Sequence, residues 1–404
     1  MSTSLLYHAF GIRGYEYTRT DYQGGHTIFT IHQDPKTCRC SACGSPQVES
    51  RGQVERRFRA LSIGTRATFV VLPIPRVECK ACGVVRQVTV PFADPRRSYT
   101  RSFERYVLEL SRRMTISDVA RHLGVGWDMI KEIQKRYLAR RFAKPKLKHL
   151  RHIAIDEISV AKGHRYLTVV LDLESGAVVF VGDGKGADAL KPFWKRLRSS
   201  RAKIEAVAMD MSAAYRQAVE THLSEAKIVF DRFHVMKLFN EKLSNLRRAL
   251  YHEATDVLQK KVLKGTRWLL LKAAENLDEK HDEKKRLKEA LALNQSLATA
   301  YYLKEDLRQF WEQAGKRFGT LFLDGWLKRA EASGIKMLQE MAKTLAAHRS
   351  GLLAYYDVMI TSGPLEGTNN KIKTMKRQAY GFRDHEFFKL KILAIHESRY
   401  ELVG

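Results

Sequence analysis

The sequence predicts a multidomain chain that combines α+β and α/β parts, and three observations carry that expectation. Two Cys-x-x-Cys pairs stand before residue 83, and a pair of short amphipathic segments follows at 116–141. From residue 151, apolar strand patterns first run consecutively and then alternate with helical ones. At 404 residues the chain is long enough to bury more than one core.

Lys and Arg total 71 against 44 Asp and Glu, a formal charge of +27. Such a surplus favours a polyanionic partner such as nucleic acid. The charge is also concentrated. Residues 1–50 carry four basic and four acidic side chains, whereas residues 51–150 carry 23 basic and eight acidic. The N-terminal "MSTSLLYHAFGIRGYEY" lacks a basic start followed by an apolar run, and no stretch reaches the roughly 18 apolar residues a bilayer crossing needs. The expectation is a cytoplasmic protein, associated with the nucleoid, with no membrane partner.

Five cysteines, an odd number, do not make a disulfide framework in a reducing compartment. "CSAC" (Cys40, Cys43) and "CKAC" (Cys79, Cys82) are two knuckles, each followed by glycine. Together they supply four thiolates for one structural Zn2+. "VERRFRAL" and "RATFVVLP" between them read as a hairpin, which makes a zinc ribbon with a long insert. Cys38 is left over, either a bystander or a competitor of Cys40.

In "ISDVARHLGVGWDMIKEIQKRYLARR" (116–141), Val119, Ala120 and Leu123 share one helical face, Gly124 makes the turn, and Val125, Ile130 and Ile133 share the next. This is helix-turn-helix spacing. The second helix is expected to present Trp127, Asp128, Lys131, Lys135 and Arg136 outward, to base edges and phosphates.

Strands are expected at 151–160, 165–174 and 177–182, then a helix near 187–198, a strand at 204–211, a helix at 213–223 and a fifth strand at 227–235. Three consecutive strands followed by alternating helix and strand is the order of a ribonuclease H-like sheet, in which the first and fourth strands lie side by side. The first would deliver Asp156 at its end and the fourth Asp210. A buried carboxylate is costly unless it is paired or coordinates a metal, so two together suggest one cation site. Asp156 and its neighbour Glu157 could exchange roles, and strand alternation leaves that choice open. After Val235 about 120 residues read as amphipathic helices, in which Trp268 is expected to be a core residue, the alternative being that it stacks on a displaced base. Finally "TSGPLEGTNNKIKTMKRQAYGF" (361–382) opens a helix at Pro364 with Glu366 in its first turn.

The zinc knuckles, the helix-turn-helix, "AIDE", "AMDM", "FDRFHV" and "GPLEGTNNKIKTMKRQAYGF", in this order, resemble the ISL3 family of bacterial insertion-sequence transposases across nearly the whole chain. The resemblance implies four parts: a zinc-binding domain at 1–98, a helix-turn-helix domain at 99–148, a ribonuclease H-like domain from 149–236 and 356–404, and a helical insertion at 237–355. It implies a transposase that binds terminal inverted repeats and cleaves and joins DNA, with Asp156, Asp210 and Glu366 as catalytic acids holding two Mg2+ (or Mn2+) ions. The same "AIDE" match selects Asp156 over Glu157. Transposon ends and target DNA would be the partners, and the active complex a homodimer. The rival reading is a DNA-binding regulator without catalysis, which leaves the three acids unexplained.

Around the acids, Asp231 and His234 are expected to cap a helix or support the site. Asn369, Asn370, Lys373, Lys376 and Arg377 follow Glu366 at helical spacing. They are expected to form one DNA-facing stripe, with an asparagine near the scissile group and Lys373 and Arg377 on flanking phosphates.

Overall fold

The computed structural model describes residues 5–161, 165–278 and 281–396. The chain divides into two compact units, split between Arg141 and Phe142.

In the N-terminal unit a short helix α1 (Leu5–Phe10) precedes a sheet of β1 (Glu16–Gln23), β2 (His26–His32), β3 (Val48–Arg59), β4 (Thr68–Cys79) and β5 (Val85–Gln87). The order is β1-β2-β4-β3, with β5 pairing on β4. The expected hairpin is the β3–β4 pair, running in antiparallel register from Val48↔Cys79 to Arg59↔Phe69. Its core gathers Phe10, Ile31, Phe58, Leu72 and Phe92. Three helices follow: α2 (Arg101–Ser111), α3 (Ile116–Leu123) and α4 (Trp127–Phe142). They bury Phe103, Val107, Val119, Leu123, Ile130 and Ile133 against one another. Gly124 caps α3 at φ 61°, ψ 41°, a left-handed conformation that costs glycine little.

The second unit is built on β6 (His152–Ala161), β7 (Arg165–Asp172), β8 (Val178–Asp183), β9 (Ala206–Met209) and β10 (Lys227–Phe230), in the order β10-β9-β6-β7-β8. β6, β7 and β8 are antiparallel neighbours, while β9 runs parallel to both β6 and β10. This is the ribonuclease H-like arrangement, with first and fourth strands adjacent. Helices α5 (Ala187–Ser200) and α6 (Ala213–His222) make the crossovers. Strand β9, "AVAM", which pairs with a strand on either side, is buried throughout, as expected where a parallel strand is covered on both faces.

Two expectations about this sheet are corrected. The fifth strand stops at Phe230 rather than reaching 235, because Asp231 sits at the N-cap of a 22-residue helix α7 (Arg232–Glu253). Val235, Phe239 and Leu243 recur every fourth residue and are buried, so the segment carries helical rather than strand periodicity. Asp156 lies within β6 rather than at its end, because β6 continues to Ala161 on its pairing with β7.

The inserted segment is helical as expected, and its core, including Leu297, Leu307, Trp326, Leu338 and Leu345, is continuous with that of the sheet. The ring of Phe230 packs on Gly351 so closely that a Cβ there would lie 2.4 Å from it. Only glycine fits. The helix Gly363–Gln378 then returns to β6, and the last helix, His385–Leu393, packs on β8. Among the described residues no helix is long and apolar enough to cross a membrane.

Candidate functional site

The cysteine knuckles meet at one end of the β3–β4 pair. The Cys40 and Cys82 sulfurs lie 3.7 Å apart, those of Cys43 and Cys79 3.5 Å apart, and all four lie within 4.8 Å of one another. Sulfurs at the corners of a tetrahedron about zinc, with Zn–S of about 2.3 Å, would be about 3.8 Å apart, so the donors fit that ion. Each knuckle turns at its glycine: the Gly44 amide donates to Cys40 O at 2.9 Å, and the Gly83 amide to Cys79 O at 2.8 Å. Backbone amides of Cys43 and Ala42 hold the Cys40 thiol down to about 6, toward the thiolate a metal needs. Cys38 is buried in the apolar core of the sheet and stands apart from this group.

In the helix-turn-helix, the Thr115 hydroxyl accepts from the Asp118 amide at 3.2 Å to start α3, and the Val125 amide returns to Ala120 O at 3.0 Å to close the turn. Trp127 is exposed at the start of α4, and Lys131 Nζ lies 5.5 Å from its ring centroid. Lys131 and Lys135 are half-buried on the following turns. Arg136 departs from the expected outward stripe. Its guanidinium is bound by Glu104 of α2 and lies 3.5 Å from Asp94, so two carboxylates turn it inward. Sequence reasoning missed Arg59, whose buried guanidinium donates to Ala60 O, Thr68 O, Ser62 Oγ and Leu123 O, tying the sheet to the end of α3.

The two aspartates stand where β6 and β9 run side by side. The last parallel pair is Ile155↔Met209; Asp156 is the next residue on β6, and Asp210 is the residue just past the end of β9. The Asp156 carboxylate accepts from the Glu157 amide at 2.8 Å and from Asn369 Nδ2 at 2.7 Å. Burial raises the Asp156 pKa above the ordinary carboxylate range; the nearby His234 opposes that rise and the Asp210 charge adds to it. Asp210 accepts from the Ser212 amide at 3.0 Å, fixing the turn into α6. Glu157, also raised by burial and then by the charges of Asp210 and Asp156, faces Tyr215 and Lys185. Both neighbours on β6 therefore feel Asp210, but only Asp156 is tied to the Glu366 helix.

Glu366 sits half-buried in the first turn of that helix. It is not drawn into a tight cluster with the two aspartates: among the described residues, the four cysteines are the one group of three or more such ligands whose atoms lie within 4.8 Å of one another. Asp231 fixes where the helix begins. Buried at the end of β10, it accepts from the Ser362 amide at 3.3 Å. The expected stripe divides. Asn369 is buried against Asp156, whereas Asn370, Lys373 and Arg377 are exposed and Lys376 is half-buried. The five keep helical spacing on one side of the helix, but Asn369 is packed in the seam with β6 while the residues a turn and more beyond it reach solvent. Trp268, expected in the core, is 65% exposed, with the Arg267 guanidinium 4.7 Å from its ring centroid.

The oxygen donors here suit a hard divalent cation. Two observations fit one: burial raises the Asp156 pKa, and Asn369 Oδ1, on the amide that holds Asp156, is buried with no hydrogen-bond partner.

Comparison with known proteins agrees with this architecture. A transposase model of the ISL3 family matches residues 153–392. The helix-turn-helix domain of transposase family ISL3 matches residues 88–138, and the zinc-finger of transposase IS204/IS1001/IS1096/IS1165 matches residues 36–82. The chain is 31% identical over 393 residues to the transposase for insertion sequence element IS1001 of Bordetella parapertussis, covering 95% of this chain and 96% of that one. It is 30% identical over 392 residues to the transposase for insertion sequence element IS1557 of Mycobacterium tuberculosis, covering 91% and 87%. Among solved structures, the Drosophila P element transposase strand transfer complex superposes with a TM-score of 0.42 at 9% identity, over 74% of this chain and 92% of that one. At that distance the strand order, not the superposition, speaks for the fold. A family model over more than half of the chain, two more over its N-terminal modules, and a relative matched almost end to end show that this protein belongs to the ISL3 family of insertion-sequence transposases.

Proposed function

We propose that the chain cleaves DNA at the terminal inverted repeats of its own element and joins the freed ends to target DNA, with Asp156, Asp210 and Glu366 as the catalytic acids. The observation that carries this reading is the juxtaposition of Asp156 on β6 with Asp210 at the end of the adjacent parallel strand β9, with Asn369 binding Asp156 from the helix that bears Glu366. A pair of divalent cations, Mg2+ or Mn2+, would supply an activated oxygen nucleophile and relief of charge at phosphorus when bound.

The chain's own residues hold and orient. Asp156 is fixed by the Glu157 amide and Asn369, and Asp210 by the Ser212 amide. Asp231 anchors the start of the helix, and Glu366 joins the two aspartates once DNA is in place. His234 offsets negative charge at Asp156 when cations are absent. No side chain is needed as a nucleophile.

DNA is held by Trp127, Lys131 and Lys135 of α4, with Arg136 bracing that helix through Glu104, and by Asn370, Lys373, Lys376 and Arg377 beyond the acids. Two copies act together, one for each end. The test is cleavage of an end-labelled duplex carrying the repeat that flanks the encoding gene, with and without Mg2+. Metal-dependent nicking at the repeat boundary, followed by joining to a second duplex, is the expected result. Binding without either reaction would return the chain to the class of DNA-binding regulators.

A further inference from the structure

Beyond the Asp156–Asn369 bond, β6 and the helix Gly363–Gln378 wall a groove of about 490 Å³. Its lining includes Ile158 and Val160, which follow Asp156 at alternate positions, and Lys373, Lys376, Arg377 and Tyr380. Among the described residues, none of these three cations has an ion-pair or hydrogen-bond partner for its side chain. The groove therefore joins a positive wall, unneutralised among the described residues, to an apolar one.

Tyr380 stands at its far end in an unusual state. Its backbone is left-handed, at φ 51°, a conformation that bulky side chains rarely adopt and that carries strain. The side chain gains nothing from packing in return, because Tyr380 is fully exposed. The turn is nevertheless well defined. The Tyr380 amide donates to Arg377 O at 3.0 Å, the Gly381 amide donates to Lys376 O at 2.9 Å, and Phe382 stacks on Phe388 with ring centroids 4.6 Å apart. A strained, anchored and bare aromatic ring beside three cations suits a nucleotide: phosphate on the cations, base on the ring.

We propose that this groove takes one nucleotide displaced from the duplex close to the cleavage point, with its phosphate on Lys373, Lys376 and Arg377 and its base stacked on Tyr380. This rests on the reading of Asp156, Asp210 and Glu366 as the cleavage site. Tyr380 is 11 residues beyond Asn369, about 16 Å along a helix, which at about 3.4 Å per nucleotide places the displaced base within about five positions of the scissile phosphate. The aromatic platform is sequence-tolerant, so the groove selects a deformable position rather than a particular base.

The test is permanganate footprinting of the full-length chain in the Asp210→Asn background, on repeat-end duplexes in which one thymine is moved a position at a time across the end. A thymine stacked on Tyr380 leaves its other face open to oxidation. One position should become reactive when protein binds and stay reactive with Tyr380→Phe. With Tyr380→Ala it should lose about fivefold or more of that reactivity. Tyr380→Gly separates function from folding, because it relieves the left-handed strain: the melting temperature should rise while the footprint disappears. No reactive thymine at any position, or one that survives Tyr380→Ala, would overturn the proposal. Cleavage by Asp210→Asn at the wild-type rate would instead remove the assignment of the acids, and the footprint is scored independently of it.

Discussion

Asn369 Nδ2 donates to the Asp156 carboxylate at 2.7 Å, across 213 residues of chain. That bond is the side-chain link between the central strand of the sheet and the helix carrying Glu366. The same amide leaves its Oδ1 buried and unpartnered beside the acids.

Asn369→Leu keeps the side chain's size and removes both functions. Cleavage should fall about 10- to 100-fold, as is typical when a group supporting a metal ligand is lost. The Mg2+ concentration giving half-maximal cleavage should also rise. A loss of melting temperature with an unchanged Mg2+ requirement would make the contact purely structural.

Asp156 allows a pH prediction. Its carboxyl is raised in the folded chain by burial, so it holds its proton more tightly folded than unfolded. Stability from this group is therefore present at low pH and is lost as pH rises through the folded value. In EDTA near neutral pH, Asp156→Asn should melt above the wild type, with the difference vanishing near the ordinary carboxylate range, about pH 4. Added Mg2+ should raise the wild-type melting temperature and leave the variant unchanged. Equal melting temperatures for both proteins across the whole range would contradict this.

Zinc should be present at one ion per chain. Metal analysis of wild type and of the quadruple variant at Cys40, Cys43, Cys79 and Cys82 checks it: undiminished zinc in the variant would end the ribbon assignment. Cys79→Ser should expose the N-terminal unit to protease while the unit beginning at Phe142 resists, because ligand binding and folding are coupled in small zinc modules.

Trp268→Ala should leave stability within about 0.5 kcal/mol of wild type, since the ring is mostly exposed and its one described ring contact is with Arg267. Thermal melting reads this directly. A loss of several kcal/mol would restore the core role that its apolar neighbours suggest.

What the sequence made legible was what short-range chemistry dictates. The cysteine knuckles are fixed by ligand spacing, the helix-turn-helix by apolar periodicity around Gly124, and the β6–β10 order by turns and alternation. Strand alternation could not separate Asp156 from Glu157, because both carboxylates reach the field of Asp210. The pairing of Asn369 with Asp156 had no local signal, since an asparagine three residues beyond Glu366 reads as part of a polar stripe. Arg136 read as a DNA contact for the same reason: its partners Glu104 and Asp94 lie 32 and 42 residues earlier. Trp268 was expected in the core, but Leu269 and Leu270 are the residues its helix buries, leaving Trp268 outside.

The most direct test is cleavage by Asp210→Asn and Glu366→Gln on the repeat-end duplex in Mg2+. Both substitutions preserve size and remove a charge. Gel shifts should show wild-type end binding by each variant, while cleavage falls about a thousandfold or more, in keeping with the several kcal/mol that metal-borne charge stabilisation supplies. Cleavage near the wild-type rate by either variant would contradict the assignment of these acids to the reaction.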